Sequence, residues 1–405
     1  MKGSNKKIAI VIQNFIQYYA ARKFIDNFSD AEIHIFVPQG WWDSGFDEIF
    51  DNIYSFLNLR YKNVYRANNG QEYQILLEPY YIDREISEVK AKYRLKYKYS
   101  AISAKTNPSY SPNFNLNYDG ILCYSNYEKD LLSIYAKTFL VGKLNYCDFA
   151  HSPGNRKTIL YLPTYGATSS VLKDLRGFIK LKKEYKIVTR LHHGTIHLAS
   201  EKKNPLLDSG IFDKVYNEEA PLEEILRDVD IVVSDNSGSL FEAIYAGIPV
   251  CSISARESSN HYGSLYPLQN DLRKRGVIPF RTDTSDIEGL IDEVLSDEVL
   301  KKQKEFRKEQ FPLVQSEFLS SFNDAVNYYL NDNVSSGDLA RIRLRNIIVR
   351  KEKERMYEEK EFLRKDNNRL KNELIKLERE SEVYRNRSLY RAASKIYDLL
   401  RLIRK

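Results

Sequence analysis

The run Asp230–Val250, DIVVSDNSGSLFEAIYAGIPV, carries the residue types that hold the phosphates of a nucleotide. Ser234, Asp235, Asn236, Ser237, Gly238 and Ser239 follow the apolar pair Val232-Val233 and stand where a helix should begin. A buried strand ending there leaves unpaired N–H groups and the positive end of a helix dipole at one spot, which binds an anion without a lysine. In that arrangement Ser237 and Ser239 face phosphates, and Glu242, one turn into the helix, reaches ribose hydroxyls. The same residues also suit an ordinary capped turn, because Asp, Asn and Ser are the common caps.

Arg190 and His192 are the second group able to do chemistry. They follow the apolar pair Ile187-Val188 with one residue between them, so both can point from a strand end into a cleft. A guanidinium fork grips phosphate at two points, and an imidazole serves as base or as charged donor. Five of the six histidines, at 151, 192, 193, 197 and 261, lie in this half of the chain, while His34, inside EIHIFVP, reads as structural. No metal-ligand spacing is visible, no cofactor is implied and no Asp-x-Asp motif lies near these loops, so activity should not depend on divalent cations.

These groups require strands and helices to position them, and the chain alternates the two. Lys7–Gln13, Glu32–Val37, Tyr73–Leu77, Tyr118–Tyr124 and Lys137–Gly142 read as strands of a first unit, with helices at Phe15–Phe28 and Asp47–Leu59. The turn-rich CDFAHSPGNRKT then reads as a connection. In the second unit strands are expected at Thr158–Pro163, Lys186–Arg190, Asp230–Ser234, Val250–Ser254 and Val277–Arg281, and helices at Ser170–Lys182, Glu219–Arg227 and Ser239–Tyr245. Helices between Ser285 and Leu330 close the body. The fold class is therefore α/β, with two doubly wound parallel sheets. Ligands of such sheets lie beyond the carboxyl ends of the strands, which gathers LPTYGATSS, RLHHGTIH, SDNSGS and ISARESS at one cleft.

The segments YDGILCYSNYEKDLLSIY, FLVGKLNYCDF, KTILYLPTY, YKIVTRLHH and VDIVVSDNSGSLFEAIYAGIPV resemble the CDP-glycerol glycerophosphotransferases of the teichoic-acid polymerase type. More broadly they resemble the GT-B glycosyltransferase superfamily, over residues 118–260. The resemblance implies two Rossmann-like domains facing across a cleft, and transfer of a polyol phosphate from a CDP-activated donor with release of CMP. It places the nucleotide on the second domain, with Thr164 and the backbone around Gly166 near the pyrophosphate. Arg190 and His192 match the family's Arg-x-His-Pro position, and Ser237 and Ser239 its paired serines. The chain departs from the pattern at His193, where the family has proline, and at Glu242, where its polymerases often have Asp. Gly142–Asp148 follows a Gly-x-Pro-Arg-x-Asp pattern only loosely. A first-domain His-Gly-Thr-Pro motif is missing, so the acceptor base is unassigned. Three rivals follow: a GT-B transferase using a nucleotide sugar for capsule or surface polysaccharide, a nucleotide-sugar 2-epimerase, and a noncatalytic scaffold.

Charge and length divide the chain further. Residues 341–405 hold 21 Lys and Arg against 11 Asp and Glu, a local +10 that leaves the rest at −3 of the formal +7. A mildly acidic body argues against nucleic acid as partner, and a cationic tail points to an anionic surface. Cys123, Cys147 and Cys251 lack disulfide or metal spacing and read as reduced structural thiols of a cytoplasmic protein. The run KAKYRLKYKYSAISAKTNPSYSPNFN reads as a solvated helix face running into a loop, with polyanion binding as the functional alternative. Gly40-Trp41-Trp42-Asp43 reads as an aromatic plug, or as a lip for a sugar acceptor.

In the tail, Ile342, Val349, Met356, Leu363, Leu370, Leu377 and Tyr384 repeat at seven, while Asn346, Lys353, Lys360, Asn367 and Leu374 occupy the companion positions. This predicts a helix pair, and so a homodimer, with packing on the body as the alternative. From Leu389 to Ile403 an apolar stripe opposes Arg391, Lys395 and Lys405, suiting a basic helix on an anionic bilayer. The organisation expected is residues 1–150 as acceptor domain, 151–335 as donor domain, 336–385 as coiled coil and 386–405 as a membrane-surface helix. The protein would sit peripherally on the inner face of the plasma membrane and act on a glycan or polyol-phosphate acceptor.

Overall fold

The computed structural model describes residues 6–38, 47–66, 68–79, 89–102, 115–152, 154, 157–164, 169–170, 175–192, 210–217, 220–253, 259–260, 263–264 and 267–344, and in the tail 346–348, 351, 355, 358, 361–362, 364–378 and 391. Gly40–Asp43, Gly166, His193, His197 and His261 lie outside these residues, as does most of 386–405. The chain divides into a unit ending at Ile342 and a tail from Arg343.

The first unit holds two parallel sheets. One is formed by β1 (Lys7–Val11), β2 (Glu32–Phe36), β3 (Val64–Tyr65), β4 (Glu72–Glu78), β5 (Lys90–Tyr97), β6 (Gly120–Cys123) and β7 (Lys137–Leu140), in the order β3-β2-β1-β4-β5-β6-β7. The other is formed by β8 (Thr158–Leu162), β9 (Lys186–Arg190), β10 (Lys214–Tyr216), β11 (Ile231–Ser234) and β12 (Val250–Ile253), followed after a short hairpin, β13 (Ser259–Asn260) and β14 (Gly263–Ser264), by β15 (Phe280–Arg281). Its order is β10-β9-β8-β11-β12-β15. Taken by position within its own half, that is third, second, first, fourth, fifth, sixth, the doubly wound dinucleotide-binding order. Strands KIAIV, TILYL and IVVS are almost wholly buried, as parallel strands covered on both faces must be.

Helices cover both sheets. In the first half these are α1 (Phe15–Asn27), whose N-cap Asn14 accepts from the Gln17 amide at 3.0 Å, α2 (Asp47–Asn58) and α3 (Asn126–Leu132), capped by Ser125. In the second they are α4 (Phe178–Leu181), α5 (Leu222–Leu226), α6 (Ser239–Ala246), α7 (Pro267–Lys274), α8 (Ile287–Val294) and α9 (Asp297–Gln310). Helix α6 stops at Gly247, whose φ of 79° only glycine adopts without strain. The last helix of the body, α10 (Phe318–Leu330), returns to the first sheet, where the Tyr329 hydroxyl donates to the Asp119 carbonyl at 2.7 Å. Gly120 makes room for that ring: a Cβ there would lie 2.7 Å from the hydroxyl.

Two expectations are corrected. The basic run is no solvated helix: Lys90–Tyr97 is an interior strand, with Tyr93, Leu95 and Tyr97 buried on one face. The period is two, and the opposite face is neutralised by buried acids. The helix expected over Ser170–Lys182 is, among the described residues, only the single turn α4, preceded by Gly177, which packs so closely on Thr284 that a Cβ there would fall 2.0 Å from the Thr284 carbonyl. His34 is buried at the sheet face. Its Nδ1 lies 3.0 Å from the Tyr73 hydroxyl and its Nε2 3.2 Å from Glu32, and burial lowers its pKa.

Candidate functional site

The strand order of the second half reverses between β8 and β11, and the turn after each strand carries the polar residues singled out in the sequence. Asp235 joins the two turns. It is fully buried, and its Oδ1 accepts the Thr164 amide at 2.8 Å while Oδ2 accepts the Ser170 amide at 2.9 Å and the Ser170 hydroxyl at 2.7 Å. The Tyr161 hydroxyl lies 2.7 Å from that of Ser170, and Gln269 Nε2 donates to the Asp235 carbonyl at 2.6 Å. Burial pushes the Asp235 carboxyl up to about 6, against the pull of these bonds and of Arg273. With both oxygens engaged inside the protein, Asp235 acts as a brace that fixes one loop against the other.

The start of α6 is drawn tight. Ser239 Oγ donates to Ser237 Oγ at 2.7 Å, the Ser239 amide reaches the same oxygen at 3.3 Å, and Ser234 Oγ donates to the Leu162 carbonyl at 2.5 Å. The N-cap is Gly238, without a side-chain cap. Ser237 and Ser239 therefore stand together at the helix start, joined to one another. Gly238 lies under the first half, since a Cβ there would approach the Ile102 carbonyl at 3.5 Å. Arg190 ends β9 and is buried, one strand over from Thr164, and the half-buried His192 follows two residues later.

Glu242 stands apart from this group. Its Oε1 accepts from the Ala101 amide at 2.7 Å and from Lys143 Nζ at 2.8 Å, and its Oε2 from the Tyr146 hydroxyl at 3.1 Å. All three partners belong to the first half, and Lys143 Nζ also donates to the Tyr99 carbonyl at 2.9 Å. Glu242 is thus half of a buried ion pair joining the halves, where the sequence had suggested a hand for ribose. Lys143, Tyr146, Arg273 and Gln269 escaped the sequence reading. Arg273 adds a second guanidinium beside the turn, donating to Asn236 Oδ1 at 3.1 Å and Ser252 Oγ at 2.6 Å with its central carbon 4.7 Å from the centre of the Phe280 ring. Lys143 carried one signal, a lone cation directly after the apolar FLVG. Arg273 and Gln269, on a short polar helix, carried none. Among the described residues no cluster of three or more metal-ligating side chains occurs.

Fold and switch-point turn together define a GT-B architecture: two parallel-sheet α/β halves meeting at the carboxyl ends of their strands. Comparison by sequence gives no matching family model and no matching curated protein. Solved structures do match. A protein assigned as a UDP-N-acetylglucosamine 2-epimerase from Listeria monocytogenes aligns at TM-score 0.53 and 12% identity, over 81% of this chain and 97% of its own. The MnaA structure with UDP from S. aureus aligns at 0.51 and 14%, over 80% and 97%. The wall teichoic acid polymerase TagF, in a variant soaked with CDPG, aligns at 0.50 and 14%, over 82% and 90%. These likenesses establish the fold. Among the described residues no helix is long and apolar enough to cross a membrane.

Proposed function

We propose that the protein is a GT-B transferase that moves a polyol phosphate, of the glycerol phosphate type, from a CDP-activated donor to a cell-surface glycan or teichoic-acid-like acceptor. The observation that carries this reading is the turn Ser234–Ser239 at the switch point, braced by Asp235 to the Thr164 loop and opening onto the eight-residue helix α6. The donor's pyrophosphate lies at that helix start, with Ser237, Gly238, Ser239 and Thr164 around it. Arg190 and His192 stabilise the charge that grows on the leaving nucleotide, the electrostatic role that such preorganised donors fill. Glu242 belongs to the joint between the halves, so ribose recognition rests on other groups. Residues 386–405 hold the enzyme at the inner face of the plasma membrane, on anionic lipid.

One observation favours a second reading, that of a noncatalytic scaffold. Ser239 Oγ donates its proton to Ser237 Oγ, and Glu242 is paired with Lys143, with no ligand needed for either. Calorimetric binding of CMP, CDP, UDP, CDP-glycerol and UDP-sugars to wild type and Arg190→Ala separates these possibilities. Ligand at a hundred times its Kd stabilises the fold by about 2.7 kcal/mol, visible as a selective rise in Tm. Cytidine preference lost in the variant supports polyol-phosphate transfer, whereas uridine preference moves the assignment to a nucleotide-sugar transferase. Binding of no nucleotide at all leaves the scaffold.

A further inference from the structure

We propose that the tail pairs with a second copy of itself as a parallel, in-register two-stranded coiled coil. The described helical segment 364–378 leaves Leu370, Leu374 and Leu377 49%, 56% and 61% exposed, an apolar stripe at three-four spacing with no cover among the described residues of the tail. Leu370 and Leu377 belong to the seven-residue repeat, and Leu374 to the companion row. The partner is specified by the charges beside this seam. The residues preceding the companion row are Arg345 at its start and then Glu352, Glu359, Asp366 and Glu373, with Glu380 next at the same spacing, so the row is acidic after its first member, while those following the main row include Arg350, Arg364, Lys371 and Arg385.

In a parallel pair each residue of the first set faces the residue five positions on in the partner. That sets Glu359 against Arg364, Asp366 against Lys371 and Glu380 against Arg385, each twice by symmetry, with Arg345 against Arg350 and Glu373 against Glu378 as the like-charged pairings. An antiparallel pair sets the two acidic rows against one another and the two basic rows likewise. Orientation is therefore encoded in charge. Within one helix Asp366 lies 2.8 Å from Arg369, but so exposed a pair is worth little and yields to a desolvated partner. Asn346 and Asn367, 21 positions apart, meet their own counterparts only in register, the role that inner-position asparagines play at some cost in stability. A parallel pair also brings both copies of 386–405 to one end, so two weak surface anchors act together.

The test uses the full chain. Sedimentation equilibrium should give twice the chain mass, and Glu359→Lys with Asp366→Lys should raise the dimer Kd at least ~10-fold, since attractive flanks become repulsive. Adding Arg364→Glu and Lys371→Glu to that variant should restore pairing. Val349→Cys and Leu377→Cys, four heptads apart, should each form a disulfide to their own counterpart under mild oxidation, with wild type as the control for the native cysteines. A monomer, a dimer indifferent to the charge reversals, or a link at one of the two cysteine positions alone would each overturn the proposal. The last of these is the signature of an antiparallel pair.

Discussion

Strands β5 and β11 occupy like places, each interior to a parallel sheet, and they solve burial in opposite ways. β11 is IVVS, apolar until its last residue, with its polar chemistry postponed to the turn beyond. β5 is KAKYRLKY, and the face carrying Arg94 and Lys96, continued by Lys98, stands within the sheet and must be neutralised there. Arg94 lies 3.2 Å from Glu78, Lys98 3.1 Å from Glu128, and Lys96 donates to Asn115 at 2.8 Å. Burial then pushes Glu78 up to about 7 and Lys96 down to about 7. A parallel sheet tolerates charge on its face only by building a matched network, whereas charge beyond the strand ends is free to meet a ligand. That contrast separates a strand whose charges are neutralised within its sheet from one whose polar residues are kept for the turn beyond it.

The joint between the halves is where the contrast breaks most easily. Lys143→Met leaves Glu242 buried with an unmatched charge and should cost ~3–5 kcal/mol, read as a fall in the urea midpoint. Pairing it with Glu242→Leu should recover most of the loss, because replacing both ions with apolar groups is often neutral. If the single variant were as stable as wild type, the two halves would not be held by this pair.

Lys96→Met tests the cost of the charged strand itself. The Lys96 amine titrates near 7 in the fold and near 10.5 unfolded, so its burial penalty is complete below pH 7 and fades as pH rises toward 10.5. Glu78, itself raised to about 7, is largely protonated below that pH and loses little when its neighbouring cation disappears. The variant should therefore be more stable than wild type by roughly 2 kcal/mol at pH 6, with the gain shrinking toward pH 10. A gain that grew with pH would reverse the assignment. A glycine pair sharpens the comparison next. Gly120→Ala drives a methyl into Tyr329 and should cost ~1–3 kcal/mol, while Gly238→Ala, with nothing nearer than 3.5 Å and φ of −60°, should change stability by less than about 0.5 kcal/mol. Denaturant titration of the two variants measures both.

The apolar strands and their end turns were legible because a parallel strand buried on both faces reads as an unbroken apolar run, as in Ile231–Val233 and Ile159–Leu162. β5 was not, since alternating cations imitate an exposed face until Glu78, Glu128 and Asn115, scattered through the sequence, are brought beside them. For the same reason Asp235 and Glu242 could be picked out by type and position while their partners could not. Whether a carboxylate meets a ligand or an amide 71 residues away is decided by long-range packing, which no local spacing records.

Each sheet carries one fully buried cysteine, Cys123 at the end of β6 and Cys251 in β12, and burial raises both thiols. Cys123 lies near Glu128, Lys98 and Lys96, and its thiol faces the Ile121 carbonyl at 3.9 Å. Cys251 packs among Ile231, Val233, Ile253 and Ile291. A serine hydroxyl needs a partner when buried, and the charged half has more of them. Cys123→Ser should therefore be the cheaper change, with Cys251→Ser costing about 1 kcal/mol more by chemical denaturation. Equal costs would mean that the network around β5 is closed to newcomers, its donors and acceptors already committed to one another.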